Sequence, residues 1–170
     1  MMRRMPILLL VATAACLHHG APAPAAAVNA PLQPLPALAR LYDDNGGGIQ
    51  DSVRLVIKDA AQLADTWRQA TSAQSSPPPV PAVDFTREMV LVAGAGRMTP
   101  ADRIQVDSVG MRRQTTPEGK TQDVLTAWVS VIQACQRFQG IAYPFEIVRV
   151  RRFDGPVRFA VQRVRAGGCS

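Results

Sequence analysis

From residue 52 onward the chain runs in short strand-like stretches, interrupted once by helical spacing. Ser52–Lys58 (SVRLVIK) is rich in β-branched residues. It follows Asp43-Asp44-Asn45-Gly46-Gly47-Gly48, residues suited to a tight turn, so the pattern predicts a hairpin there. Asp59 then stands as an N-cap with Gln62 three residues on, and Ala60, Leu63, Ala64, Trp67 and Ala70 fall on one helical stripe. A helix over about residues 60–71, anchored by Trp67, is expected. Thr71–Pro81 (TSAQSSPPPVP) has no periodicity and reads as an exposed polyproline-like connection. Strand material returns at Val83–Ala93, Arg103–Met111 and Asp123–Ala134. Val124–Ala134 is apolar on both alternating faces and predicts a central strand covered on both sides. Arg112–Gln122, polar and holding Pro117 and Gly119, reads as an open surface loop.

Near the end, Asp154-Gly155 is a hairpin dipeptide of the type I′ kind, and counting outward from it sets a register. Arg152 then faces Val157, Arg151 faces Arg158, Val150 faces Phe159 and Val148 faces Val161. Val148, Val150, Val157, Phe159 and Val161 form one apolar side, while Arg149, Arg151 and Arg158 gather on the other. Strands outnumber helices throughout, so the expected fold class is α+β, a mainly antiparallel sheet with one packed helix.

The first residues have a different build. Arg3 and Arg4 precede an apolar run from Ile7 to Ala15, the make-up of an export signal and too short to span a bilayer. Two cleavage points compete: Thr13-Ala14-Ala15-Cys16 approximates a bacterial lipobox, and Ala25-Ala26-Ala27 suits ordinary signal peptidase. The division expected is a lipoprotein-type signal peptide at 1–15, a disordered Ala/Pro tether at 16–38 and one β-rich domain at 39–170. Cys16 would carry lipid, and Leu17 after it leaves the protein free to reach the outer membrane. The expected location is the periplasm or outer membrane, with secretion in soluble form as the alternative.

Export bears on the other cysteines, Cys135 and Cys169, because two thiols in one small domain usually pair under oxidising conditions. Their disulfide would close a loop of about 35 residues and contribute roughly 4 kcal/mol on the chain-entropy model. Histidine occurs only as His18 and His19, beside the leader, which removes most familiar triads and zinc sites from the body. No catalytic residue, metal or cofactor is expected. Asp43, Asn45 and Gly48 match the early positions of a calcium loop, but Arg54 stands where its closing glutamate belongs. Gly94-Ala95-Gly96 lacks the third glycine of a dinucleotide loop, and Asp102 with Asp107 is a weak glycosidase pair whose simpler role is to partner arginines.

The net charge of +6 is unevenly placed. Residues 40–136 nearly balance, whereas residues 137–165 hold seven arginines against Glu146 and Asp154. Arg149, Arg151 and Arg158 are therefore candidate anion-binding residues for a headgroup phosphate, a cell-wall polymer or an acidic partner. The plainer account is that solvent and acids elsewhere neutralise them, arginine outnumbering lysine 17 to 2 across the chain. Export and the lack of interleaved aromatic residues argue against nucleic acid as a partner.

The order of segments has a counterpart. An Ile57-Lys58-Asp59 strand end, a helix with Trp67, a proline stretch, Val83-Asp84-Phe85-Thr86-Arg87-Glu88-Met89-Val90 and a late Tyr143-Pro144-Phe145-Glu146-Ile147-Val148 follow one another. Over about residues 49–161 the chain resembles the C-terminal domain of the protease complex subunit PrcB family. The resemblance implies a small β-rich exported domain without established catalytic residues, named for a non-catalytic partner in a surface protease complex. Where that family carries a Gly-Gly-Tyr step, this chain has Thr99-Pro100-Ala101-Asp102-Arg103, so a surface shaped there differs. The expectation is an accessory or protein-interaction domain, held to the membrane through Cys16 and bound to a protein partner in the envelope. The alternative is a module that binds an anion or an envelope ligand through its C-terminal arginines.

Overall fold

Two four-stranded sheets stack face to face, and one helix lies on the outer face of the second sheet. The computed structural model describes residues 33–34, 38–136 and 138–167. The strands are β1 (Gln33–Pro34), β2 (Ala39–Asp44), β3 (Arg54–Ile57), β4 (Glu88–Gly94), β5 (Arg103–Thr115), β6 (Thr121–Gln133), β7 (Phe145–Arg151) and β8 (Val157–Arg165), with helix α1 (Ala60–Ala70) between β3 and β4. The first sheet has the order β1-β5-β6-β8 and the second β2-β7-β4-β3. Every pairing is antiparallel except β6 with β8, which is parallel. The fold is thus α+β and mainly antiparallel, as the sequence predicts.

Alternation explains the layers. Met89, Leu91 and Ala93 of β4 and Val148 and Val150 of β7 meet Ile104, Val106, Val109, Leu125, Ala127, Val129 and Val131 between the sheets. The intervening residues Val90, Val92, Phe145 and Ile147 point to the other side, where Leu63, Trp67 and Ala70 of the helix cover them. β4 and β7 are consequently the strands packed on both faces by other layers. β6, the strand assigned that role from sequence, is central in its own sheet and buried on both alternating faces over most of its length. Leu125, Ala127, Val129 and Val131 lie on one face, and Val124, Thr126 and Ser130 beside the half-buried Trp128 and Ile132 on the other. Asp107 is an extra residue at a bulge in β5, where pairing passes from Val106–Val129 to Ser108–Trp128. That bulge reverses the alternation, so Ile104 and Val106 before it and Val109 after it all face the core.

The helix matches its sequence signals. Asp59 caps it by accepting a hydrogen bond from the Gln62 N–H at 2.8 Å, and Leu63, Thr66, Trp67 and Ala70 are buried. Trp67 Nε1 donates to the Pro78 carbonyl at 2.9 Å, which ties the exposed proline stretch to the helix. The hairpin expected before β3 is absent, although Asp44 does make a local turn by accepting from the N–H groups of Asn45 and Gly46 at 2.7 and 3.0 Å. β2 and β3 lie on opposite edges of the second sheet, and residues 45–53 carry the chain across under the helix end. Gly48 serves that passage: a Cβ there would overlap the Ala70 carbonyl.

Two further corrections concern the first sheet. Arg112–Gln122 is not an open loop; β5 and β6 continue as hairpin arms to a tight turn at 116–120, with Gly119 at φ 78°. The arms are polar on both faces because they extend beyond the second sheet, and ladder pairing with an Arg113–Asp123 ion pair at 3.1 Å holds them together. Asp154-Gly155 makes no hairpin either. β7 already has β2 and β4 on its two edges and leaves no place for β8. Gly155 is not among the glycines with positive φ, a conformation the type I′ turn requires. Arg152 fixes the corner instead, donating through Nη1 to the Phe85 carbonyl at 2.6 Å and pairing with Asp154 at 2.9 Å. The chain then crosses to the first sheet, where the Pro156 carbonyl accepts from the Leu125 N–H at 3.0 Å.

Candidate functional site

A cluster of positive charge lies at the far end of β7. Arg149 stands opposite Val90 of β4 and Ala39 of β2, and Arg151 stands opposite Glu88. Beside them residues 84–88 form a rigid turn. The Asp84 carboxylate accepts from the Thr86 N–H at 3.0 Å and the Thr86 hydroxyl at 2.6 Å, while its carbonyl accepts from the N–H groups of Arg87 and Glu88. These hydrogen bonds from Thr86 hold the Asp84 carboxyl below its ordinary range, with Arg87 adding to the effect. The turn brings Arg87 to the same cleft of about 730 Å³, which Arg149, Arg151 and Arg152 also line.

Within the cleft the four guanidiniums meet two carboxylates, Glu88 and Asp154, leaving an excess of two positive charges (four minus two). Glu88 pairs with Arg149 at 3.2 Å, and Asp154 pairs with Arg152. Arg87 approaches Asp84 only at 3.9 Å, and Arg151 is exposed at the strand end. Arg151, in no described ion pair, and Arg87, in a long pair with Asp84 and largely exposed, are therefore the donors best placed to engage an incoming carboxylate or phosphate, in the forked geometry that guanidinium offers.

The arginine face expected from the hairpin is divided by the topology. Arg149 and Arg151 come together, but Arg158 lies on β8 in the other sheet, where it pairs with Thr126. The valines on both strands turn toward one core, so these arginines point away from it on opposite sides of the molecule. Arg87 and Arg152 complete the cleft in place of Arg158. Their sequence signal was faint: Arg87 sits in an Asp-x-Thr-Arg turn and Arg152 two residues before the Asp154 that pairs with it.

A second polar cleft of about 470 Å³ opens at the rim of the sandwich, between Arg40, Asp43 and Asp44 on one side and Arg103 on the other. At its base is Glu146, 2% exposed and turned inward on β7. Its carboxylate accepts from the Val106 N–H and pairs with Arg40, joining the two sheets at the β5 bulge. Burial pushes the Glu146 carboxyl above its ordinary range, against the opposing pull of the Val106 N–H and Arg40. A carboxylate so enclosed is a latch between sheets.

Asp102 and Asp107 also have local duties. Asp102 accepts from Thr99 through N–H and hydroxyl at 3.0 and 2.8 Å and from the Ala134 N–H at 2.8 Å. Its Thr-x-x-Asp spacing was the readable sign of that turn. Asp107 accepts from the Ser130 hydroxyl at 2.6 Å. Cys135 is disulfide-bonded, and its Sγ lies 3.7 Å from the Ala166 carbonyl at the end of the chain. Cys169, its expected partner, and Cys16, the expected lipid site, are outside the described residues.

Among the described residues no group of His, Cys, Asp and Glu side chains is placed to hold a metal ion, and no helix is long and apolar enough to cross a membrane. No protein-family model, no curated protein and no solved structure matches the chain.

Proposed function

We propose that this protein is an exported, non-catalytic accessory domain that docks an acidic group of an envelope protein in the cleft of Arg87, Arg149, Arg151 and Arg152. The observation that carries the proposal is that cleft, where two strands and one capped turn converge four guanidiniums on two carboxylates. The charged leader before Cys16, the Ala/Pro tether and the resemblance to the protease complex subunit PrcB family support export, a lipid anchor at Cys16 and an accessory role. Such a domain would sit near a membrane yet reorient freely, as a docking subunit requires.

The test uses the full chain with a glutamate-rich peptide, inorganic phosphate and phosphatidylglycerol vesicles as probes. Peptide-dependent shifts at the amides of Thr86, Arg87 and Glu88, which line the cleft, that weaken with salt, are lost in Arg149→Gln/Arg151→Gln and survive in Arg158→Gln are the expected result. Equal shifts in both variants would contradict it. The second reading, an envelope-ligand module, draws on the same excess charge; binding of vesicles or phosphate alone, lost in the same double variant, would favour it. Mass spectrometry of the mature N-terminus decides the lipid at Cys16, and a chain beginning after Ala27 would remove the anchor.

A further inference from the structure

Among the described residues the last strand leaves one edge of the first sheet open, and its outward groups can be assigned individually. The Pro156 carbonyl accepts from Leu125, and the Ala166 N–H donates to the Gln133 carbonyl. In a strand the N–H and C=O of one residue point to the same side and successive residues alternate. The even-numbered residues of β8 therefore bond β6, while Val157, Phe159, Val161, Arg163 and Arg165 direct theirs away from the sheet. No described strand lies beyond β8. The strand is mostly exposed, Val161 to 46%.

Charge narrows what could pair there. Arg158, Arg163 and Arg165 are all exposed, and none takes part in a described ion pair. A second copy of this chain would bring the same arginines from each side to one ladder, an arrangement that like-charge repulsion opposes. An extended acidic segment meets no such penalty. By alternation Arg158 belongs to one face of the sheet and Arg163 and Arg165 to the other, so the complementary segment carries carboxylates on both faces.

We infer that the free edge of β8 receives an extended acidic segment of a partner protein as an added strand, bonded through the main chain to the odd-numbered residues and paired with Arg158, Arg163 and Arg165. This edge belongs to the opposite sheet from the arginine cleft and stands or falls separately from it.

The experiment titrates the isotope-labelled full chain with a synthetic extended peptide of glutamate and β-branched residues, and with its glutamine analogue. Hydrogen exchange should slow at the amides of Phe159, Val161 and Arg163 and stay unchanged at Ala160 and Gln162, already bonded to β6. Val161→Pro deletes one outward N–H without touching the β6 ladder and should weaken binding about tenfold. Arg149→Gln/Arg151→Gln should leave the edge response intact, and in that background Arg158→Gln/Arg163→Gln/Arg165→Gln should remove the preference over the glutamine analogue. Peptide binding without new protection on the odd-numbered amides would overturn the proposal. So would equal affinity in the arginine variant, or protection that appears with protein concentration alone.

Discussion

β7 and β8 are separated only by residues 152–156 and both alternate valine with arginine, yet they come to rest in different sheets. β7 is flanked by antiparallel neighbours on each edge and covered by the helix on one face and the first sheet on the other. β8 lies parallel to β6 at an edge and exposes most of its length. Alternation decides which face of a strand is buried but not which strand lies beside it. Val157 and Phe159 satisfy their pattern by entering the shared core from the opposite sheet. The functional consequence is direct, because arginines that a hairpin would have clustered are sent to two surfaces with different neighbours.

The contrast is most easily broken in the core. Ile147→Ala on β7, fully buried under the helix, should cost about 2–5 kcal/mol in urea denaturation, whereas Val161→Ala on β8 should change stability by less than about 0.5 kcal/mol. Comparable losses at the two sites would mean that β8 is covered as β7 is. A smaller effect is expected at the corner that parts the strands. Arg152→Ala removes the hydrogen bond to the Phe85 carbonyl and the pairing with Asp154, and should cost about 1–3 kcal/mol in the same measurement. An unchanged midpoint would show that the crossover needs no such tie.

The smallest effect concerns pH. The carboxyl of Glu146 is raised in the folded protein, so the folded state holds its proton more tightly than the unfolded chain does. Its contribution to stability is fully present below the ordinary carboxylate pKa and is lost as pH rises from there through the raised folded value. Thermal melts should show the wild type losing stability over that interval relative to Glu146→Gln, which has no proton to release. Parallel curves for the two proteins would refute the assignment. The lowered carboxyls of Asp84 and Glu118 act in the opposite sense and cancel in this comparison.

The helix was legible because its signals were local: the Asp59 cap, the spacing of Leu63, Trp67 and Ala70, and the prolines after it. Asp84 could likewise be foreseen as a cap within its own turn. What could not be read depended on distant neighbours. The Asp107 bulge hid the two-residue period of β5, and the arms around 112–122 looked like a loop because they are held by pairing without apolar burial. Asp154-Gly155 gave a hairpin signal after a strand that has no vacant edge. Of the cleft, Arg149 and Arg151 were legible because one strand places them two residues apart on the same face. Arg87 arrives only through the β4–β7 pairing, and Arg152, next in the chain to Arg151, falls opposite Val157 in the expected hairpin, which does not form. Glu146 had a usable sign, a lone acid at the same parity as the core residues Val148 and Val150.

The separation of β7 from β8 is tested most directly by proton–proton contacts across the two candidate ladders in solution. Close contacts should connect Ala127 with Phe159 and Val129 with Val161 in the parallel pattern, with the α protons of Val150 and Phe159 kept apart by stacked sheets about 10 Å from each other. A close contact between those two α protons, the mark of an antiparallel hairpin, would contradict the fold, the cleft and the open edge together.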